Sequence, residues 1–559
     1  MLRAALFLTA TAFASATTDC VVCVLGLALV QQISKNFTSD PEKDCAALGI
    51  CTSDATCTLF NGTWPVVPAA FPTDGGAVDE RRRLTSSASA VPTRDDVLAF
   101  VAHLRTRPAA DLYSAIASLA RWITGGAPPC SDGLDIVCDF ERPFDLHLPM
   151  VDHDGDAHAG DPLAGDFLTL HLRGRDWRGR DCNDSDASIY PGRAVSGANG
   201  WDADTDANCN GIVGVDSASG KSFEELYCSG ENAPMGLAIL GDSAAAHFHI
   251  PPQYLNAPSF NLSGLVELAA NEADWPQCSW STAIHDPSSC PALASFMPVP
   301  PLSFYQRWVN RNLCAHRDFN NVGVNGARTG SMAPPNGVIN ALQRNASNDT
   351  PLLVIYALIG NDVCNGHPGM SEMTTPSEFL VNVLASLDFL EATIPAGSHV
   401  VFLPLADGRV LYDATQNETH PLGVPFPAVY DYLACNDCSP CRGWLNSNSS
   451  FRDATSQRAA ELSAVYDQII IANSTRYSKF DMYTFQVDWK KFISNYTDAG
   501  GKAFDLIEPV DGFHPSQTGN MLLAEMLWED LASNKPAWLP TINPNNGLIQ
   551  QRFGDQGGY

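Results

Sequence analysis

The chain has 559 residues, enough for two or three domains. Hydrophobic residues make up 45% of it and charged residues 17%, which excludes a largely disordered chain and a multispanning membrane protein. With 33 basic and 62 acidic side chains the net charge is −29, so the average surface repels phosphate backbones and nucleic-acid binding is a poor hypothesis. Clustered acidic residues would instead favour hard cations.

Residues 1–16 have the pattern of a secretory signal peptide. Arg3 precedes an apolar run from Ala4 to Phe13, and the small residues Ala14–Ala16 suit cleavage. The run is shorter than the roughly 20 apolar residues of a membrane span. Seventeen cysteines fit an oxidising compartment. Ten Asn-x-Ser/Thr sequons begin at Asn36, Asn61, Asn183, Asn261, Asn345, Asn348, Asn417, Asn448, Asn473 and Asn495. We therefore expect a secreted protein or one in the endolysosomal lumen.

Residues 17–62 combine a CxxC pair, Cys20 and Cys23, with an apolar helical stripe and three further cysteines. CxxC can bind zinc, carry out redox chemistry or staple the chain. No second pair at zinc spacing lies nearby and the compartment is oxidising, which favours a staple. The segment resembles a shortened saposin-like module, whose disulfide-joined helices present an apolar face to lipid. That resemblance implies pairs from Cys20 and Cys23 to Cys51 and Cys45 and leaves Cys57 for a partner elsewhere.

Residues 63–127 are predicted to be a linker followed by a helical segment. The linker is rich in Pro, Gly, Ala and Ser and contains Arg81-Arg82-Arg83. These arginines suit either a solvated charge run or a site for processing proteases, and the sequence leaves both open. Apolar periodicity predicts a helix over Arg94 to Ile123, most simply as packing surface.

Residues 128–227 contain three stretches in which acidic or amide side chains alternate along the chain. Alternating oxygen ligands on tight loops suit calcium, which takes six to eight oxygens, whereas a single such stretch would more often be a solvated loop. No stretch has the glutamate of a complete EF-hand loop. The stretch from Asp181 to Gly192 resembles a disulfide-pinned metal-binding motif of secreted proteins. The predicted calcium ligands are Asp152, Asp154, Asp156, Asp181, Asn183, Asp184, Asp186, Asp202, Asp204, Asp206, Asn208 and Asn210.

From residue 228 to 559 the pattern changes to an alternation of short buried strands and helices. This order predicts a mostly parallel sheet whose carboxyl-end loops form the active site. The predicted strands are Met235–Leu240, Leu352–Leu358, His399–Leu405 and Met482–Val487. The predicted helices are Phe379–Thr393, Ala454–Ala472 and Gln517–Leu531.

Two short motifs in this region contain the residue types of a nucleophilic catalytic triad. Gly241-Asp242-Ser243 follows the first predicted strand, so that the Ser243 hydroxyl is exposed on a turn and its own N–H can serve as an oxyanion donor. The GxSxG nucleophile elbow is absent. Near the C-terminus, Asp511-Gly512-Phe513-His514 supplies a general base and the carboxylate that orients it. Each motif alone would be weak, and together they predict Ser243, His514 and Asp511 as a triad.

With Asn325-Gly326 and Gly360-Asn361-Asp362 between them, these motifs resemble the SGNH (GDSL-type) hydrolases. The resemblance implies an α/β fold, a three-layer flavodoxin-like domain, with Ser243, Gly326 and Asn361 as oxyanion donors. One departure is that glycine stands directly before Asn361, where the family usually has Gly-x-Asn-Asp. His247 and His249 lie just past the nucleophile and are interpreted as cleft or core groups rather than metal ligands. Trp275, Trp280 and Trp308 suit the core better than an acyl pocket.

The order of the segments resembles the acyloxyacyl hydrolase family. Its densest stretches are Arg173–Asp184, Gly241–Ile250, Ile359–Cys364 and Glu508–Pro515. The resemblance implies a lipase, stabilised by calcium, that contacts micelles or membrane surfaces and removes secondary acyl chains from lipopolysaccharide lipid A. It also implies maturation into two disulfide-linked subunits. Alternatives are a phospholipase, a deacetylase of glycans, or an inactive lipid-binding protein.

Overall fold

The computed structural model describes residues 147–149, 151–161, 173–195, 202–250, 273–284, 302–364, 369–435 and 439–559. The signal peptide, the saposin-like segment with its cysteine pairings, and the linker with its predicted helix lie outside the described residues. Among the helices that are described, none combines the length and hydropathy needed to cross a bilayer.

A five-stranded parallel sheet organises the described part of the chain, with the strand order β2-β1-β3-β4-β5. This is the doubly wound order of flavodoxin-like folds, the fold that the resemblance to SGNH hydrolases implied. The strands are β1 (Gly236–Gly241), β2 (Phe319–Gly323), β3 (Leu352–Ala357), β4 (Ser398–Phe402) and β5 (Phe480–Thr484).

Helices cover both faces of the sheet. The longer ones are α3 (Phe304–Arg311), α5 (Pro376–Thr393), α7 (Phe426–Cys435), α8 (Ser449–Asn473), α9 (Trp489–Asp498), α10 (Gln517–Asn534) and α11 (Asn546–Phe553). Shorter ones are α1 (Phe223–Tyr227), α2 (Ser243–Ala246), α4 (Thr329–Met332) and α6 (Arg409–Thr415). Short 3₁₀ helices lie at Gly230–Asn232, Pro276–Cys278, Leu313–Ala315, Val338–Leu342, Ala503–Leu506 and Pro536–Trp538.

Successive strand residues point to opposite faces, and this alternation divides the core into two layers. On one face Leu240 and Tyr356 pack with residues of α5 and α8. On the other face Ile239 and Ile355 pack with residues of α3 and α10. The result is the three-layer α/β/α architecture that the resemblance to SGNH hydrolases implied.

Strands β1, β3, β4 and β5 were predicted from the sequence, to within about two residues at their starts, whereas β2 was not. That strand carries Asn320 and Asn321 on a buried edge, so its sequence lacks an apolar run. Arg178 donates to Asn320 Oδ1, and Asn321 donates to the backbone oxygen of Ala245 at 2.9 Å. The segment 177–179 pairs with β2 through Asn321 N–H to Trp177 O at 2.7 Å. Residues 177–179, which lie between the first two acidic stretches, therefore cover the edge of the sheet at β2.

Candidate active site

The nucleophile turn begins where β1 ends. Asp242 is the N-cap of α2: one carboxylate oxygen accepts the Ala244 N–H at 3.0 Å and the other accepts the Ile359 N–H at 2.8 Å. A Cβ on Gly241 would lie 2.3 Å from the Ala245 side chain, so this close approach requires glycine. Ser243 is the first helical residue, where a backbone N–H has no intrahelical acceptor.

The three residues of the predicted triad lie in contact, although 271 positions separate the serine from the histidine. His514 Nε2 lies 2.7 Å from Ser243 Oγ, and His514 Nδ1 lies 2.5 Å from the Asp511 carboxylate. The other Asp511 oxygen accepts the N–H groups of Phe513 and His514, at 2.8 and 3.1 Å. These bonds fix the carboxylate toward Nδ1, so that Nε2 can accept the serine proton.

The loop that carries Asp511 and His514 is anchored through its carbonyl groups. The Tyr430 hydroxyl donates to Gly512 O at 2.9 Å, and His420 contacts Val510 O at 2.7 Å. Gly512 has a φ of +64°, and a Cβ there would lie 2.3 Å from the Tyr430 oxygen. Glycine is therefore required at this position of the motif. Neither anchoring side chain was found from the sequence, because each lies at least 82 residues away.

The predicted oxyanion donors lie on two loops that are joined to each other. Asn361 Nδ2 donates to Ala327 O at 3.0 Å, and the buried Asp362 carboxylate accepts the Thr329 hydroxyl at 2.7 Å and its N–H at 3.0 Å. Asn361 and Ser243 line the same cavity, whereas Gly326 is not among the described residues that line it. An amide nitrogen has two hydrogens, so Asn361 keeps one donor for a ligand.

The triad opens into a cavity of about 930 Å³, counting its mouth. Its apolar wall includes Val410, Leu411, Trp444, Trp489, Phe492, Ile493, Leu506, Phe513 and Leu523. Such a wall suits a hydrocarbon chain that extends away from an ester held at Ser243.

The first two acidic stretches come together in space. Two triplets of carboxylate oxygens each lie within 4.8 Å, one from Asp152, Asp154 and Asp184 and the other from Asp154, Asp156 and Asp181. One buried oxygen on each residue of the second triplet has no hydrogen-bond partner. Burial, with repulsion from Asp156 and Asp154, raises the pKa of Asp181 to about 7. A divalent cation would satisfy these oxygens, so the donor set fits calcium.

Asp186 belongs to neither triplet. The side-chain oxygens of Asn183 and Asp186 accept hydrogen bonds from the Ser185 and Ser188 hydroxyls, both at 2.7 Å. A further triplet of Asp181 with Cys182 and Cys209 is not a metal site, since the two sulfurs form a disulfide. Other disulfides join Cys228 to Cys314 and Cys364 to Cys441.

The third acidic stretch surrounds a carboxylate that the sequence analysis missed. Asn208 and Asn210 both donate to Glu224 at 3.1 Å, and burial raises the pKa of this glutamate to about 8. Asp202 accepts the Ala207 N–H and Asp206 accepts the Gly211 N–H, while Asp204 is exposed. Within the described ranges these carboxylates form no triplet like the ones above. Glu224 follows the acidic stretch by 14 residues, too far for a spacing rule to link them.

His247 and His249 are buried and belong to no metal-ligating triplet of the described residues. The helix ends at Ala246, so neither histidine lies on it. His247 has a left-handed backbone (φ +60°), and the centroids of the two imidazole rings lie 6.2 Å apart. The three tryptophans Trp275, Trp280 and Trp308 are buried in the core and do not line the described cavity.

Comparison with known proteins finds relatives of one kind. The family described as "GDSL-like Lipase/Acylhydrolase" matches residues 237–527. The "Acyloxyacyl hydrolase" of Oryctolagus cuniculus is 40% identical over 422 residues, covering 74% of this chain and 69% of that protein. The proteins of the same name from Mus musculus and Homo sapiens are 39% and 40% identical over 421 residues, with the same coverage.

Proposed function

The chain belongs to the acyloxyacyl hydrolase family of GDSL-like lipases and acylhydrolases, and we propose that it removes secondary fatty acyl chains from the lipid A of lipopolysaccharide. As a member it is a hydrolase of ester bonds. The observation that carries the finer proposal is the contact of Ser243, His514 and Asp511 beside an apolar cavity.

In the proposed reaction Ser243 Oγ attacks the ester carbonyl carbon while His514 Nε2 takes the hydroxyl proton. As the carbon–oxygen bond of the ester breaks, His514 gives that proton to the leaving alcohol and the acyl group stays on Ser243. Water then attacks the acyl-enzyme by the same route and releases the fatty acid. Asp511 holds the imidazole and stabilises its positive charge. The charge that develops on the carbonyl oxygen is received by the N–H groups of Ser243 and Gly326 and by the Asn361 amide.

The cavity favours a long acyl chain over an acetyl group. Its wall is nearly all apolar, so a hydrocarbon chain gains about 0.8 kcal/mol for each methylene that it buries. An acetyl ester would leave most of this surface exposed to water, which argues against deacetylation of glycans. A phospholipid acyl ester would bury the same surface, and a phospholipase is therefore the second candidate.

Calcium is the proposed cofactor. The ion would be held by the carboxylates of the two triplets, which are Asp152, Asp154, Asp156, Asp181 and Asp184. A separate cluster of carboxylates would be formed by Asp202, Asp206 and Glu224. A bound cation would neutralise the carboxylates that now repel each other and would stabilise the folded segment. None of these residues belongs to the triad, so a bound cation would stabilise the fold and take no part in ester cleavage.

We also propose that the protein is exported, that residues 17–62 contact lipid, and that cleavage in the linker yields two chains joined by a disulfide. The disulfides of the described residues are consistent with an oxidising compartment.

The test is to incubate the purified protein with lipopolysaccharide and with phospholipids and to identify released fatty acids by mass spectrometry. The proposal expects loss of secondary acyl chains from lipid A with wild type and none with Ser243→Ala. Release from phospholipids alone would identify a phospholipase. Binding of lipid without any release would identify a lipid-binding protein and refute the proposal.

A further inference from the structure

A buried acidic and basic pair connects the two halves of the proposed triad. His249, six residues after Ser243, places Nδ1 in contact with the Glu508 carboxylate, six residues before His514. Their side chains are 7% and 1% exposed. Glu508 supplies neither a triad group nor a predicted calcium ligand, so its burial requires another explanation. A buried carboxylate is costly unless it is paired and hydrogen-bonded.

Glu508 organises the loop that carries the base. Its N–H donates to His514 O at 2.8 Å, and its backbone oxygen accepts the Gly512 N–H at 2.9 Å. Its second carboxylate oxygen accepts the Val510 N–H at 3.0 Å. The glutamate therefore closes the loop through both its backbone and its side chain. Its remaining carboxylate oxygen is the one that reaches His249.

His249 is held equally firmly on the side of the nucleophile. Its N–H donates to Ala273 O at 3.0 Å, and its backbone oxygen accepts the Trp275 indole N–H at 3.1 Å. The preceding residue, Phe248, packs its ring 4.7 Å from the His514 ring. The segment after Ser243 thus contacts the base loop both at the imidazole and at Glu508.

We propose that His249 and Glu508 are a positioning pair that fixes the loop of His514 relative to the turn of Ser243. The inference rests on the proposed function, because it assigns the pair a role only through that triad. Proton transfer requires His514 Nε2 to stay within hydrogen-bond reach of Ser243 Oγ. A displacement of about 1 Å can lower a rate by about 10²-fold. Since neither residue contacts the acyl cavity, the pair affects kcat rather than KM.

Three variants test the pair on a short soluble p-nitrophenyl ester, with rates expressed per folded molecule. His249→Leu removes the ring nitrogen that contacts Glu508, and Glu508→Gln replaces one of the two carboxylate oxygens with an amide nitrogen and removes the charge. His249→Asn restores a side-chain N–H close to the position of Nδ1. The matched control is Asp318→Asn, which breaks another buried pair, the one with Arg344. Asp318 lies beside Gly236 at the amino end of β1, whereas Ser243 follows the carboxyl end of that strand.

We expect kcat to fall about 10- to 100-fold in His249→Leu and in Glu508→Gln, with little change in KM. The double variant His249→Leu, Glu508→Gln is expected to lose no more kcat than the worse of the two single variants, because the two residues act as one unit. His249→Asn should recover part of kcat, and Asp318→Asn should lower the melting temperature while keeping kcat. If His249→Leu fails to fold, His249→Asn and Glu508→Gln carry the comparison, since both preserve polarity and approximate size.

The inference is overturned if His249→Asn and Glu508→Gln both have wild-type kcat, or if the losses of the single variants add in the double variant. In that case Ser243→Ala would still be inactive and the proposed function would stand. Turnover that survives in Ser243→Ala is a different result, since it removes the triad itself.

Discussion

His420 donates a hydrogen bond from Nε2 to the backbone oxygen of Val510, the residue before Asp511, at 2.7 Å. The donor is identified by the opposite nitrogen, because Nδ1 accepts the Leu422 N–H at 3.1 Å. The bond pattern requires a neutral ring, and burial lowers the pKa of His420 to about 4. The loop that carries Asp511 and His514 therefore depends on a histidine that must stay uncharged.

The first prediction concerns acid stability. The unfolded pKa of histidine is near 6.5, so between about pH 6.5 and 4 the unfolded chain binds a proton at this site that the folded chain does not. Wild type should therefore lose stability as the pH falls through this window, by at most about 1.4 kcal/mol per pH unit from His420. In His420→Gln, the free energy of unfolding, measured by urea unfolding at several pH values, should fall less steeply with decreasing pH than in wild type. Equal slopes would show that His420 does not contribute to acid unfolding.

The second prediction concerns calcium. Chelation should lower the melting temperature of wild type, because the carboxylates of Asp154, Asp156 and Asp181, each with one buried oxygen that lacks a hydrogen-bond partner, then repel each other. The double variant Asp154→Asn, Asp181→Asn should melt at the same temperature with and without chelator. Asp216→Asn, outside the triplets, should respond as wild type does. A wild-type melting temperature unchanged by chelator, with no calcium in the purified protein, would identify these stretches as solvated loops.

The third prediction concerns the acyl cavity. Ile493 of α9 lines it, so a carboxylate in Ile493→Asp should weaken hydrolysis of long-chain esters through desolvation of the charge. Hydrolysis of a short soluble ester should change little. Ile471→Asp is the matched control, since Ile471 is 79% exposed on α8 and does not line the cavity. A loss that is equal for short and long esters would contradict the assignment of this wall to the acyl chain.

A fourth prediction addresses residues 17–62, which lie outside the described part of the chain. A net charge of −29 opposes approach to an anionic lipid surface, so the attraction has to come from apolar contact. The apolar stripe of this segment, which includes Leu25 and Leu29, is therefore predicted to contact aggregated lipid. Replacing both leucines with serine should reduce turnover of micellar lipopolysaccharide and spare a short soluble ester. Equal loss on both substrates, or failed secretion, would mean that the stripe packs on the hydrolase.

The contrast between Ser243 and Glu508 illustrates what the sequence could predict. The Gly-Asp-Ser turn and the Asp511 and His514 spacing are local patterns, so their residue types and positions identify them directly. Glu508, His420 and Glu224 act through partners far away in sequence, and no spacing rule connects such pairs. Strand β2 was missed for a related reason. Its buried asparagines are satisfied by long-range bonds, to Arg178 and to Ala245 O, rather than by apolar packing.

The central claim is that Ser243, activated by His514 and oriented through Asp511, carries out the ester chemistry. The measurement that tests it most directly is reaction with a fluorophosphonate, followed by peptide mass spectrometry and by turnover of a short ester. We expect one adduct, on Ser243, and no turnover after labelling. Ser243→Ala and His514→Ala should lose about 10³-fold or more in turnover while remaining folded, and Asp511→Asn should lose less. An adduct on another residue, or wild-type turnover by Ser243→Ala, would contradict the account.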